Sequence, residues 1–394
     1  MNNVSSSGGV SAAITYAQLQ DKYGDFSFPR AEILLNKKPI AQLKETNIAI
    51  NDISVEITSG FEASVASFRI YNCYDTKSGK FYFKELKDQL FMGAPVSISL
   101  GYLEAVETVF VGFVAAVAFG YAPEGLPYIE VTAMDVKSIM MGGTYSYQLA
   151  AKSYSEAVEE IFRRTGYEKL SSAGGITSLE IEDTPDKKSG SGEENKASAD
   201  TIEMTAESDY EFVVKAAKKY NYEFFIDRGV VRFRKAKSVS DTLAEIGVGS
   251  GILSFHTEYS ITGLVGKIEA RTMDAGQGKL ISSEKKREGT ISTSGKAEGL
   301  IGKAAKVYID PTIKNTGDAE TRVSYLMEQM SYRLGSLEAE CVGIPELVPG
   351  RFIKVSGMGV PADNDFYISS VTHEIMMEGG FRTRLSGCAN KMKT

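Results

Sequence analysis

With 394 residues, 43% of them apolar and 24% charged, the chain is long enough for roughly two to four globular domains with their own buried cores. Its 44 Lys and Arg against 51 Asp and Glu leave a net charge of −7, and the basic runs at Lys285–Arg287 and around Lys215 are short, so the clustered cations that hold phosphate backbones are missing and nucleic-acid binding is not expected. No apolar run approaches a membrane span, the start does not read as a signal peptide, and Cys73, Cys341 and Cys388 are too few and too scattered for a disulfide framework, which suits reduced thiols in a chain made in the cytoplasm.

Residues 1–24 open Ser/Gly-rich and read as a flexible arm with a short apolar patch around Ile14 to Leu19. From 25 to 145 short stretches rich in Val, Ile, Phe and Ala follow one another, at Ala31–Leu35, Asn47–Ile57, Ser64–Tyr71, Pro95–Leu100, Thr108–Val117 and Tyr128–Asp135, with turn residues between them. They predict a closed or nearly closed antiparallel barrel; the alternation in Ile48 to Ile57 allows two strands or one strand with a bulge. Gly112 marks a close approach of another backbone or a bulge, and Asp135 at a strand end suits a turn or cap acceptor better than a catalytic acid.

Residues 146–250 read as a small α/β domain. Ser153 with Glu156 predicts a capped helix that ends at Gly166, and 183–200 is a polar loop with no aliphatic residue larger than Ala. Ser208 and Glu211 form a second capping box, Asp209 complements the helix dipole, and Phe212, Val213, Ala216, Ala217 and Tyr220 share one face. Asn221 stops that helix, an aromatic strand follows from Tyr222, and Arg228-Gly229 turns it into Val230–Arg234.

A second β region fills 251–394, with a polar, helix-bearing insertion at about 274–340. There Asp318 predicts the cap of a helix whose apolar face holds Val323, Leu326, Met327, Met330 and Leu334, ended by Gly335. Pro349-Gly350 then turns into a strand at Phe352, and the chain finishes as a hairpin through Gly379-Gly380.

Several of these segments resemble the phage late control protein D family, the baseplate hubs of contractile tails, which are similar to the N-terminal part of type VI secretion spike proteins. The resemblance rests on Glu207-Ser208-Asp209 opening a helix before a hairpin turned at Gly229, on Phe110-x-Gly112, and on a terminal strand ending in Asp135. Its second half rests on Gly343, Pro345, Leu347, Pro349 and Gly350, then Tyr367, Val371, His373, Gly380, Phe381 and Thr383. It implies structural roles for these residues, with no catalytic, cofactor or metal site. It also implies an α+β chain of two antiparallel β-barrel domains with an intervening small α/β domain, the second barrel interrupted by the insertion.

The function so implied is that of a trimeric symmetry adaptor. Assembled from bacterial cytoplasm into the baseplate of a phage tail, tailocin or extracellular injection system, a homotrimer joins the hexameric tail tube to a trimeric spike. Its expected partners are the tube ring, a separate spike protein, since neither an oligonucleotide-fold barrel nor a β-helix follows through Thr394, and baseplate wedge proteins. Two other classes stay open on the residues alone. A peptidoglycan hydrolase needs only two carboxylates among 51, although the absence of Trp removes the commonest sugar platform. A free-standing β-rich binding module needs no motif at all. His256 and His373 stand apart from any metal-ligand spacing and read as structural residues.

Overall fold

The computed structural model describes residues 12–40, 48–122, 125–186, 202–274, 278–288, 291 and 296–393. Most of the polar loop expected at 183–200, from 187 onward, lies outside the described residues, as do residues 1–11 of the expected arm. The rest of that arm departs from expectation. It forms β1 (Ile14–Thr15) and α1 (Tyr16–Tyr23), because Thr15 and Gln18 close a capping box and Leu19 and Tyr23 turn into the core.

Next come β2 (Pro29–Leu35), β3 (Lys38–Pro39), β4 (Ala49–Thr58), β5 (Val65–Tyr71), β6 (Tyr74–Asp75), β7 (Lys80–Phe81), α2 (Phe83–Leu86), β8 (Pro95–Tyr102), β9 (Ala105–Gly120) and β10 (Tyr128–Met134). Of the two arrangements open for Ile48 to Ile57, the chain takes the single bulged strand, with Asp52 at φ 51° between Asn51 and Ser54. The main strands pair in the order β2-β8-β9-β10-β5-β4.

The middle of the chain is α3 (Val136–Met140), β11 (Tyr145–Leu149), α4 (Tyr154–Phe162), α5 (Thr165–Ala173), β12 (Ser178–Ile181), β13 (Ile202–Glu207), α6 (Asp209–Tyr220), β14 (Tyr222–Asp227) and β15 (Val230–Lys235). Gly166 does not end α4. It sits inside α5, and Gly174, at φ 92°, ends that one instead. Phe212, Val213, Ala216 and Ala217 of α6 pack with Phe224 and Phe233 of the hairpin in one core.

The last part is β16 (Thr242–Val248), β17 (Gly251–Tyr259), β18 (Lys267–Asp274), β19 (Lys279–Lys286), α7 (Lys296–Ile301), β20 (Ala305–Ile309), α8 (Thr316–Ser331), β21 (Gly335–Val342), β22 (Phe352–Ser356), β23 (Asn364–Met376) and β24 (Gly380–Ala389). Strands β16, β17, β21, β24, β23 and β22 pair in a ring, a closed six-stranded barrel. Between β17 and β21 the chain leaves the barrel to build a three-stranded sheet, β19-β18-β20, backed by α8. The departure begins just after Tyr259, earlier than the expected 274, because β18 buries Ile268, Ala270 and Thr272 on one face with the same alternation a barrel strand shows. Asn315 rather than Asp318 caps α8: its side chain accepts the Asp318 N–H at 2.9 Å. Gly335 starts β21.

The two groups of six strands share one pairing order but differ from the expected pair of antiparallel barrels. Strand β2 runs antiparallel to β8 whereas β16 runs parallel to both β22 and β17, and no pairing of β2 with β4 closes the first group among the described residues. Reading β2, β4, β5, β8, β9, β10 against β16, β17, β21, β22, β23, β24, every pairing in the first group has its counterpart in the second. Both groups belong to one continuous sheet, because β4 pairs with β23 from Ile53↔Ile375 to Thr58↔Ser370. The chain is therefore mostly β, and its largest core runs unbroken through both groups.

Candidate functional site

Asp135, Gly112, Gly229, Gly350 and their partners lie along the seam where the central α/β unit meets the first group of strands and the barrel, whereas Glu207, Ser208 and Asp209 bond within the central unit. Asp135 caps α3: its carboxylate accepts from Lys137 N and Ser64 N, both at 2.9 Å. Its neighbour Lys137 is fully buried, and its Nζ donates to Gly60 O at 3.0 Å and Glu62 O at 2.7 Å. Burial pushes the Asp135 carboxyl up, against the pull of Lys137, and pushes the Lys137 ammonium down to about 8, against Asp135 and Glu62. In β9 a Cβ at Gly112 would sit 2.3 Å from Met134 O, the close backbone approach that the glycine announces.

Ser208 and Glu211 form the expected box at the start of α6. Asp209 does more than complement the dipole: buried, it accepts from Arg164 at 2.8 Å and from the Tyr167 hydroxyl at 2.9 Å, fastening α6 to the α4–α5 segment. Glu207 pairs with Lys215 across the first turns of α6. Gly229 turns the β14–β15 hairpin at φ 81°, and its Cα faces Val111 of β9 and Thr177.

The tip and one face of that hairpin press on the segment 343–350. Arg228 reaches Pro345 O at 3.4 Å, and Arg234 donates to Gly350 O at 2.7 Å. Gly350 has φ 80°, and a Cβ there would stand 2.6 Å from the Phe225 ring and 2.8 Å from Arg234, so both conformation and space call for glycine. Under this contact lies Glu223, buried, paired with Arg234 at 2.6 Å and accepting from the Tyr367 hydroxyl of β23. Burial raises the Glu223 carboxyl, offset by Arg234 and Tyr367, and burial together with Glu223 raises the Tyr367 phenol well above its usual range.

On the other side of the same segment His373 is fully buried, with Nδ1 3.0 Å from Thr383 Oγ1, which also accepts Ile344 N–H at 2.9 Å. Having taken that N–H, the hydroxyl turns its proton to a neutral ring. Burial drives the His373 pKa down to about 3, partly opposed by the Leu347 backbone. Phe381 packs on Gly343 and on Tyr102 of β8, while Gly380 turns the β23–β24 hairpin at φ 65°. Pro349 leads into Gly350, whose N–H is accepted by Ile368 O at 2.9 Å. Glu346 takes Tyr23 and Lys22 of α1 at 2.7 and 2.8 Å, so the N-terminal helix closes on the same seam.

Sequence reasoning missed Glu223, Arg234 and Glu346. A signal was present for the first two: a lone acid inside the aromatic run Tyr222–Ile226, opposite Arg234 on the return strand, is an expensive burial that needs its partner. At this seam Asp135 is held by backbone N–H groups and Glu223 by Arg234 and Tyr367, Cys341 is buried with its thiol pushed up to about 12, and among the described residues no three His, Cys, Asp or Glu side chains converge as a metal set. Through Lys137 the central unit is bonded to the loop after β4, and through Arg234 and Glu223 to Gly350 and Tyr367 of the barrel.

Comparison with known proteins bears on the fold. The sequence model of one family, described as the Alg8 N-terminal domain, matches residues 191–377, a little under half of the chain. That span holds the inserted β19-β18-β20 sheet with α8 but stops before β24, which sits between β21 and β23, so it does not enclose the whole barrel. No curated protein matches the sequence. Among solved structures, a tail protein from Neisseria meningitidis MC58 is similar at 10% identity and TM-score 0.61, over 92% of this chain and 97% of that one. The 43 kDa tail protein of prophage MuSo2 from Shewanella oneidensis is similar at 13% identity and TM-score 0.62, over 91% and 98%. A type VI secretion system component of E. coli, described as structurally similar to bacteriophage T4 tail proteins, is similar at 11% identity and TM-score 0.54, over 93% and 77%. The chain has the fold of these tail proteins and of this type VI secretion component, in keeping with the resemblance carried by its Ser208, Gly350 and His373 segments.

Proposed function

We propose that this chain is the structural hub of a contractile injection particle, a trimer that joins a hexameric tail tube to a trimeric spike. The observation that carries the reading is the repeated six-strand order within one continuous sheet. Each copy supplies two like units, the closed barrel and a first barrel formed by β2, β8, β9, β10, β5 and β4, so three copies present six equivalent units to the tube and three to the spike. On this reading 25–145 and 251–394 are the ring-forming domains, and 146–250 is the buttress that the polar seam locks in place. Gly112, Asp135, Glu207, Ser208, Asp209, Gly229, Pro345, Pro349, Gly350, His373, Gly380 and Thr383 serve architecture rather than catalysis. The fold shared with tail proteins supports a place in the baseplate of a phage tail, tailocin or extracellular injection system, with tube, spike and wedge proteins as neighbours.

The test is the solution mass of the full chain co-expressed with the spike-like protein of its own gene neighbourhood, by light scattering. Three hub copies with three spike copies are expected. A hub that stays monomeric beside both spike and tube would sink the reading.

A further inference from the structure

The contact between β4 and β23 is a filled joint between two like units, and the duplication says where its empty counterpart lies. Strand β9 carries one extra residue against β10 at Ala115, and β23 carries one extra residue against β24 at Ser369. Aligning these bulges matches Ala116–Tyr121 to Ser370–Ile375. The same alignment matches Ile129 to Thr383. Their partners, Ile70 and Cys341, therefore correspond, and four residues earlier so do Ala66 and Leu337. Since Val55 pairs with Ala66 and Thr257 with Leu337, Ile53–Thr58 of β4 corresponds to Phe255–Ser260 of β17.

Both counterpart edges are open. Beyond Val114, β9 is paired only to β10, and from Leu253 onward β17 is paired only to β21 among the described residues. Positions that are sealed in the filled joint are wet in the open one. Ile53, Val55 and His373 are buried, whereas Phe255 is 39% exposed and Phe119, the counterpart of His373, is 49% exposed. Next to them Tyr121 and Leu253 are 67% and 50% exposed. Long edges bearing large apolar residues are normally covered.

We infer that β17 of one copy adds antiparallel to the outer half of β9 of the next copy, in the register that the β4–β23 joint prescribes, and that this is the ring contact between subunits. Carrying the register over sets Phe255 opposite Tyr121, Thr257 opposite Phe119 and Glu258 opposite Ala118. No like charges meet, and the aromatic side chains close over one another on the inner face. The two edges differ, so the contact is head-to-tail and repeats until the ring closes. The inference rests on the ring reading proposed above but can fail separately from it.

The test uses the full chain, co-expressed with its spike and tube proteins, carrying Ala118→Cys and Glu258→Cys together and treated with an oxidant or a short bis-thiol reagent. Directly opposite residues in an antiparallel pair have Cβ atoms about 5 Å apart. A covalent ladder up to the trimer is expected on a denaturing gel from the double variant and is absent from either single variant, while the two single variants mixed before assembly give a cross-linked dimer, since each chain then carries one of the two thiols. Ala118→Cys with Ser254→Cys is the register control, because four strand residues move the thiols roughly 13 Å apart. A trimer by light scattering that fails to cross-link, or cross-links equally through Ser254→Cys, overturns the joint and leaves the ring standing. Monomer in the presence of spike and tube overturns both.

Discussion

At the scale of single residues, the chain has placed its costliest groups where three units meet. Glu223 and Arg234 are both largely withdrawn from water, and neither would be tolerated there alone. Glu223→Ala is expected to lose about 3–5 kcal/mol in urea unfolding, since it strands the guanidinium against Gly350 O. Replacing both, Glu223→Leu with Arg234→Met, is expected to recover much of that loss; a double variant as unstable as the single one would show that the pair is not the cause. His373 is linked to pH. Its folded pKa, down to about 3, lies below the ordinary 6.5, so the unfolded chain binds the proton first and stability falls as pH drops through that window. The slope from one such group approaches about 1.4 kcal/mol per pH unit inside the window. Unfolding midpoints measured between pH 7 and pH 5 should decline less steeply in His373→Gln than in the parent protein, and parallel curves would refute the assignment.

At the scale of elements, α6 and the β14–β15 hairpin form the block against which the rest is set. The capping box of Ser208 and Glu211, the left-handed Asn221 at φ 57° and the glycine turn at Gly229 make this block locally self-consistent. Ser208→Ala is expected to cost about 1 kcal/mol by chemical denaturation. Hydrogen exchange should rise first in the opening turn of α6, where Asp209 also ties Arg164 and Tyr167. Exchange unchanged there, with stability unchanged, would mean that Asp209 holds the helix end without the cap.

At the scale of the whole molecule, continuity comes from pairing and from docking. The β4–β23 joint runs the sheet from one unit into the other, and α1 closes the far side by sinking Leu19 and Tyr23 into the shared core. Leu19→Ala leaves a cavity beneath a helix only two turns long, so a loss of about 2–5 kcal/mol is expected, with the salt bridges of Lys22 to Glu107 and Glu346 released together. Proteolysis within 16–23 should then outpace cleavage elsewhere. A variant that resists as the parent does would show that the helix is held by its charges alone.

Local patterns carried the block around α6, because caps, glycine turns and apolar periodicity act within a few residues of each other. The same locality made the final hairpin and the apolar face of α8 legible, and narrowed β4 to two strands or one bulged strand. Four features were not legible in this way. Tyr16–Tyr23 looked like an arm, because a two-turn helix has too little periodicity until its burial partners are known. The cap of α8 moved to Asn315 because neighbouring cap-forming residues compete and the turn geometry chooses among them. The insertion after Tyr259 reads like barrel strand, since an apolar strand packs equally well in either sheet. Glu223 and Arg234 lie 11 residues apart across a hairpin, close enough to pair from sequence, yet only burial under Tyr367 and Gly350 makes the pair matter. By itself the sequence determined the main strands of the first group, the block of α6 with its hairpin, and the final hairpin, because their signals act within a few residues. Only the tertiary structure decided which edges are filled and which stand open, because strand pairing is chosen between distant segments competing for the same backbone hydrogen bonds.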